Sequence, residues 1–222
     1  MGFFKKIFEK KQKPQETTQE QLDGFYSLKE KAMENVLGKS HGVVGHAIVP
    51  FQVGGAVDMY YFPNLIEGTV LATMELIEHE NKGPVPNKNG MYELIAFTKH
   101  KISQQTGAMK SPEEPFEKLE RRMCGIFTCI GSYSYEVKLE PGETCEIPGK
   151  AGEENICLVF DEYKKEGTEF MINGKRYGLL ICIEVFRSEM EYAMEYGSQE
   201  LFKLLRQKGC YPYSDLDRQP VI

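Results

Sequence analysis

The chain has 222 residues, of which 41% are hydrophobic and 11% aromatic, and its formal net charge is −6 with a sequence pI of about 5.4. This length is sufficient for one large domain with a substantial core. The acidic balance disfavours a general nucleic-acid binder, which usually carries a basic excess. No apolar run reaches 18 residues, so the sequence predicts no membrane-spanning helix.

The cysteines indicate a reducing compartment. All six stand apart, without a C-x-x-C pair, and MGFFKKIFEKK at the start has only short apolar pairs between lysines. We therefore expect no secretory signal, no disulfide framework and a cytoplasmic location. Cys129, Cys157 and Cys182 lie in apolar runs and are expected to be buried as small hydrophobic residues.

Residues 1–14 read as a separate basic arm. One side of a possible helix carries apolar residues and the rest carries lysines. The arm could fold back onto its own domain, fray, or associate weakly with a membrane surface. Pro14 separates it from residues 15–222, which we interpret as one domain whose fold should survive deletion of the arm.

The elements before residue 100 begin with a predicted helix over 18–37, which has one apolar stripe and a stop at Gly38. The pattern then changes to a period of two, which is typical of strands. We predict strands at 43–51, 56–62, 69–78 and 91–99. A turn at Gly54-Gly55 joins the first two, because glycine adopts positive φ readily.

The second half repeats the alternation between a helix and a group of strands. A helix is predicted from Ser111-Pro112, read as a capping box, to Gly131. Asn173-Gly174 indicates a tight hairpin, and Gly197-Ser198 divides a final helical pair that ends at Gly209. The predicted strands are 133–139, 144–148, 156–161, 168–172 and 177–186. This order predicts an α+β fold with a central mixed, mainly antiparallel sheet packed by helices.

The sequence contains incomplete versions of two known catalytic motifs, and each lacks a residue that the motif requires. LGKS at 37–40 ends like a phosphate loop, but Met33 replaces the first glycine. HENKG at 79–83 begins like a zinc-protease helix, but Gly83 stands where the second histidine is needed. The four histidines share no ligand spacing. We therefore predict no catalytic residues, no metal and no cofactor.

Carboxylates inside apolar segments are the main site candidates. An acid in a strand faces water, a cation or a partner, because burying it alone is costly. Three interpretations stay open: the solvated face of a sheet, a partner-binding surface, and the metal site of a hydrolase. The candidate partner-binding residues are Asp58, Glu75, Glu93, Asp161 and Glu184.

The segment GCYPYSDLDRQPVI at 209–222 is unusually rich in aromatic and charged residues for a terminus. Gly209 ends a helix and Pro212 favours an extended path. We predict a structural lid rather than a ligand-facing surface or a catalytic Asp-x-Asp pair, since nothing nearby supplies a nucleophile. The lid residues are Tyr211, Tyr213, Asp215, Asp217 and Arg218.

Six segments carry a family resemblance over about residues 40–222. They are IVPFQVGGAVDMYYFPN, GTVLATMELIE, YELIAFTKH, ICLVFDEY, YGLLICIEVFRSEMEYA and LLRQKGCYPYSDLDRQPVI. In this order they resemble the bacterial branch of the suppressor of fused (SUFU-like) domain family. The resemblance implies a mixed sheet packed by helices and a binding module rather than an enzyme.

The resemblance also implies a kind of partner. Eukaryotic relatives sequester transcription factors by holding a short peptide against sheet edges, and some bacterial relatives resemble immunity proteins or antitoxins. We therefore expect a protein partner, such as a basic toxin encoded nearby, and no nucleic acid. A metal-dependent hydrolase that uses strand carboxylates is the alternative hypothesis.

Overall fold

The computed structural model describes residues 18–79, 82–102, 113–149 and 152–222. The four α-helices of this part are α1 Gln19–Leu37, α2 Pro115–Ser134, α3 Arg187–Tyr196 and α4 Ser198–Gln207, and Phe51–Val53 forms one turn of 3₁₀ helix. The strands are β1 Tyr60–Phe62, β2 Thr69–Ala72, β3 Tyr92–Thr98, β4 Thr144–Ile147, β5 Ile156–Glu162, β6 Phe170–Ile172 and β7 Lys175–Val185. The predicted arm at residues 1–14 lies outside the described residues.

The sheet has the strand order β1-β2-β3-β7-β5-β4, with β6 paired to β7. Of the named strand pairs, β3 with β7 is parallel and the others are antiparallel. The prediction of a mixed, mainly antiparallel sheet packed by helices is confirmed. Within the described ranges, none of the helices combines the length and the hydrophobicity that a membrane span requires.

Helices cover both faces of the sheet. Apolar residues of α1, α3 and α4 pack with one set of strand side chains, and those of α2 pack with the alternate set. In β3, Ile95 belongs to the first core and Leu94 to the second, so neighbouring residues serve opposite faces. All seven residues of β3 are buried as a result. This explains why the strand sequences are apolar at nearly every position.

Local signals explain several element boundaries. Thr18 and Gln21 form a capping box at α1, and Gly38 ends that helix at a φ of 88°. Asn173 and Gly174 both have positive φ at the β6–β7 turn, as the hairpin signal predicted. Gly197 separates α3 from α4, also as predicted.

Several strand predictions need correction. The strand predicted at 56–62 is limited to Tyr60–Phe62. The segment 43–51 is a loop with isolated bridges at Gly45 and Pro50, and 133–139 is occupied by the end of α2 and a turn. The strand predicted at 69–78 ends at Ala72. Beyond it, the Glu93 carboxylate accepts hydrogen bonds from Leu76 N and Ile77 N, so a side chain replaces strand pairing there.

The structure also differs from two smaller predictions, the start of α2 and the burial of Cys129. Helix α2 begins at Pro115 after Glu114, while Ser111 and Pro112 lie outside the described residues. Cys157 and Cys182 are buried as predicted, but Cys129 is exposed. Its position on α2 falls outside the stripe of Ile126, Phe127 and Ile130 that faces the core, and an apolar run does not reveal this.

Candidate functional site

Glu93 forms a buried ion pair rather than part of a surface. Its side chain and that of Lys29 are both 0% exposed, and Lys29 Nζ lies 3.0 Å from Glu93 Oε1. Glu93 also accepts from Thr73 Oγ1 at 2.7 Å, Leu76 N at 3.2 Å and Ile77 N at 2.9 Å. Burial lowers the pKa of the Lys29 ammonium, and the Glu93 charge opposes that shift. This network joins α1 to β3 and to the segment that follows β2.

Glu184 is also buried and ion-paired inside the fold. Its side chain is 1% exposed and receives a forked pair from Arg122 of α2, with Arg122 Nε 2.7 Å from each carboxylate oxygen. The Glu184 backbone N–H donates to Ser214 Oγ at 3.1 Å. The Arg122 side chain itself is about half exposed, so the pair joins a buried acid to a partly exposed cation.

Asp58 and Glu75 lie at the base of a loop. Asp58 Oδ2 is 2.6 Å from His46 Nδ1, and Asp58 Oδ1 accepts from Ala47 N at 2.8 Å. The Asp58 N–H donates to Glu75 Oε2 at 2.7 Å. Burial raises the pKa of the Glu75 carboxyl, and the neighbouring Asp58 charge adds to this. These two acids are partly exposed and, among the described residues, have no lysine or arginine within ion-pair distance.

Asp161 binds the C-terminal segment. Tyr211 Oη donates to Asp161 Oδ2 at 2.9 Å, and Arg206 Nη2 lies 3.9 Å from the same oxygen. Burial raises the pKa of the Tyr211 hydroxyl to about 12, and the Asp161 charge adds to the effect. Tyr211 also packs on Phe202 of α4, with ring centroids 5.5 Å apart.

The five candidate acids therefore do not share one surface. Glu93, Glu184 and Asp161 are buried and bonded inside the fold, which is inconsistent with a solvated sheet face for these three. Only Asp58 and Glu75 lie together at a partly exposed position. Their contact with a partner stays a prediction. Within the described ranges, no group of three or more histidine, cysteine, aspartate or glutamate residues could hold a metal ion.

The C-terminal segment fits between β3 and β7. Ser214 is fully buried; its N–H donates to Phe97 O at 2.8 Å and its hydroxyl donates to Cys182 O at 3.0 Å. Asp215 accepts from Thr98 Oγ1 and from Lys99 N, the latter at 2.8 Å. The segment therefore fills the space where the two parallel strands end their direct pairing.

The end of the segment closes over α3. Arg218 pairs with Glu189 through two bonds of 2.6 and 2.8 Å, and Val221 N donates to Glu189 at 2.9 Å. Asp217 is exposed and lies 3.4 Å from His100 Nε2. Tyr213 packs partly on the core and forms a bridge with Phe97. These contacts are those expected of a structural lid, and its effect on stability stays a prediction.

Two exposed features were missed by sequence reasoning. The loop 46–55 presents Ile48, Val49 and Val53 to solvent. Strand β4 is the terminal strand of the sheet, beside a groove of about 530 Å³ that Tyr133 and Met194 help to line. An apolar residue in a loop resembles a core residue in the sequence, so only the tertiary structure reveals that these face outward.

Comparisons with known proteins confirm the resemblance at the level of the fold. No family model matches the chain, and no curated protein matches it. Among solved structures, 16 chains match. One of them, described as the crystal structure of the Sufu-Fu complex, matches with a TM-score of 0.57 and 16% identity. The match covers 90% of this chain and 91% of that chain, so the chain has a SUFU-like fold over nearly its whole length.

Proposed function

We propose that the chain is a non-enzymatic protein-binding module that captures and neutralises or sequesters a protein partner in the cytoplasm. The observation that carries this proposal is the SUFU-like fold, since the solved neighbour is described as part of a complex between two proteins. An immunity or antitoxin role is the specific form that we propose, with a basic toxin as the partner.

Strand β4 is the position best suited to hold an extended segment of that partner. It ends the sheet order, and in the described part of the chain no further strand pairs with its outer side. At the opposite end, the 41–45 segment covers β1, because His41 N donates to Tyr61 O at 2.7 Å and Gly45 bridges Met59. An uncovered edge offers backbone donors and acceptors to an added strand.

The surroundings of β4 supply apolar contact and charge. Tyr133 is 46% exposed and Met194 is 67% exposed, and both side chains help to line the groove. Glu143 and Glu146 are exposed at the edge, and Glu146 is held by Asn155 at 2.6 Å and by Arg187. An acidic rim beside exposed apolar side chains suits a basic partner, because complementary charge accelerates encounter and apolar burial retains the complex.

The test is capture of the partner by matched variants of the full chain. Tyr133→Asp/Met194→Asp changes the groove, and Leu28→Asp, at a 43% exposed position on α1, is the control. Each tagged protein is expressed in its native cells, and captured proteins are quantified by mass spectrometry. We expect one partner to be held by the wild type and the control, with about tenfold or greater loss in the groove variant.

Hydrogen exchange on the purified complex locates the contact. An added strand should slow exchange of the β4 amides, while exchange in α1 stays unchanged. Association should also slow as salt rises, because the acidic rim is screened. Equal capture by the groove variant and the control, or no enriched protein with the wild type, would contradict the proposal.

A further inference from the structure

The loop 46–55 projects three aliphatic side chains into solvent. Ile48 is 101% exposed, Val53 is 73% exposed and Val49 is 49% exposed. We call these residues with their loop the aliphatic finger. Single exposed aliphatic residues are common on proteins, but three within six positions concentrate exposed apolar surface in one loop, and concentrated apolar surface is typical of an interaction site.

The aliphatic finger is held in a defined conformation. Gly55 N donates to Pro50 O at 3.0 Å and Gly54 N donates to Phe51 O at 2.9 Å. Gly55 is required for space, since a Cβ there would lie 1.7 Å from Val49 O. A loop ordered before binding loses less conformational entropy when it docks.

Two anchors fix the finger to the domain. Phe51 is buried, and its ring lies over Gly131 of α2, where an added Cβ would be 3.3 Å away. At the other end, Asp58 accepts from Ala47 N at 2.8 Å. The chain therefore buries the aromatic residue of this loop and leaves its aliphatic residues outside.

The base of the finger is negatively charged. Asp58 and Glu75 lie there, and Glu120 approaches Gly45, where an added Cβ would be 3.1 Å from its Oε1. Among the described residues none of these acids pairs with a lysine or arginine, and Asp58 pairs instead with His46. Such a base repels an anionic lipid surface and favours a partner with positive charge around its binding cleft.

From this geometry we infer that the aliphatic finger inserts into an apolar cleft of a protein partner whose rim carries lysine or arginine. This inference rests on the proposed protein-binding function and adds a second contact surface, separate from β4. It also gives Asp58 and Glu75 a role as the charges that meet the rim of the cleft.

The experiment places a benzophenone amino acid at Ile48 in the full chain, in native cells, and irradiates them. The same crosslinker at Leu28, a 43% exposed aliphatic position, is the control. We expect a discrete adduct with one other protein from position 48 and none from position 28. Adding Val53→Asp should lower the adduct yield at least about tenfold, since burial of such a side chain contributes that much to affinity.

Other results would overturn the inference. An adduct of twice the chain mass would show self-association, and flotation with phosphatidylcholine–phosphatidylglycerol vesicles that Val53→Asp abolishes would show lipid binding. No adduct above the Leu28 control would show that nothing docks on the finger.

The groove variant Tyr133→Asp/Met194→Asp separates this inference from the proposed function. Partner capture that depends on the groove, without any adduct at Ile48, would refute the finger alone. An adduct at Ile48 that persists in the groove variant would support the finger and refute β4 as the principal contact.

Discussion

The substitution Arg218→Met tests whether the C-terminal segment is structural. Arg218 forms a forked pair with Glu189, whose side chain is 0% exposed, while the Arg218 side chain is 14% exposed. The guanidinium also lies over the Phe186 ring, 4.9 Å from its centroid. Methionine keeps much of the apolar stem but leaves the Glu189 charge without its cation.

The expected cost follows from what Glu189 retains. Removing one partner of a fully buried pair costs about 3–5 kcal/mol. Glu189 still accepts from Phe186 N at 3.0 Å and Val221 N at 2.9 Å, which offsets part of this loss. We expect a decrease of about 2–3 kcal/mol in the free energy of unfolding, which for a chain of this size lowers Tm by roughly 4–12 °C.

Urea unfolding and thermal melting measure this effect, with Arg176→Met as the matched control. Arg176 pairs with Glu169 at 3.7 Å, and both side chains are more than half exposed. An exposed pair contributes about 1 kcal/mol or less. If Arg218→Met costs no more than Arg176→Met, the lid interpretation is wrong. If it leaves Tm unchanged but abolishes partner capture, the segment is a binding surface.

Three further predictions follow from single contacts. Lys29→Met should lower the free energy of unfolding in urea by about 3 kcal/mol, because it leaves the buried Glu93 charge without its cation. The double variant Lys29→Met/Glu93→Gln should be more stable than Lys29→Met by at least about 1 kcal/mol, whereas additive effects would make it less stable. The pKa of Tyr211 is raised to about 12 in the folded state. The stability that its neutral hydroxyl contributes is therefore fully present below the unfolded pKa of about 10 and is lost as the pH rises toward 12. Tyr211→Phe should therefore lose stability less steeply across that window, and identical slopes would contradict this. Gly55→Ala should cost about 1–3 kcal/mol through steric overlap, whereas Gly42→Ala, with nothing within 4 Å of its added Cβ, should be near neutral on thermal melting.

Local periodicity predicted the helices well because each covers one face of the sheet. The apolar stripe of α1 and the stop at Gly38 are visible in the sequence. The strands were harder to bound, since burial on both faces removes the alternation that marks a strand end. The strand predicted at 69–78 shows the reason: Leu76 and Ile77 are apolar and buried, but their N–H groups bond to Glu93 instead of to a neighbouring strand.

The partners of the buried acids have no local signature. Lys29 precedes Glu93 by 64 positions, and Arg122 precedes Glu184 by 62. Each of these cations lies on a predicted helix, and the sequence pattern of that helix is equally consistent with a solvent-exposed lysine or arginine. Only the docking of α1 and α2 on opposite faces of the sheet brings the pairs together.

Pairing therefore decides which acids are available to a partner. Glu93 and Glu184 face their cations inside the fold, so substituting them changes stability first and binding only as a consequence. Asp58 and Glu75 at the base of the finger form no ion pair with a lysine or arginine of the described residues, and Glu143 is exposed beside β4. Charges in such positions act on an approaching molecule through solvent. A partner that is attracted by the negative charge of this chain is therefore expected to contact it at the finger and at the edge of the sheet, not at the acids of the central strands.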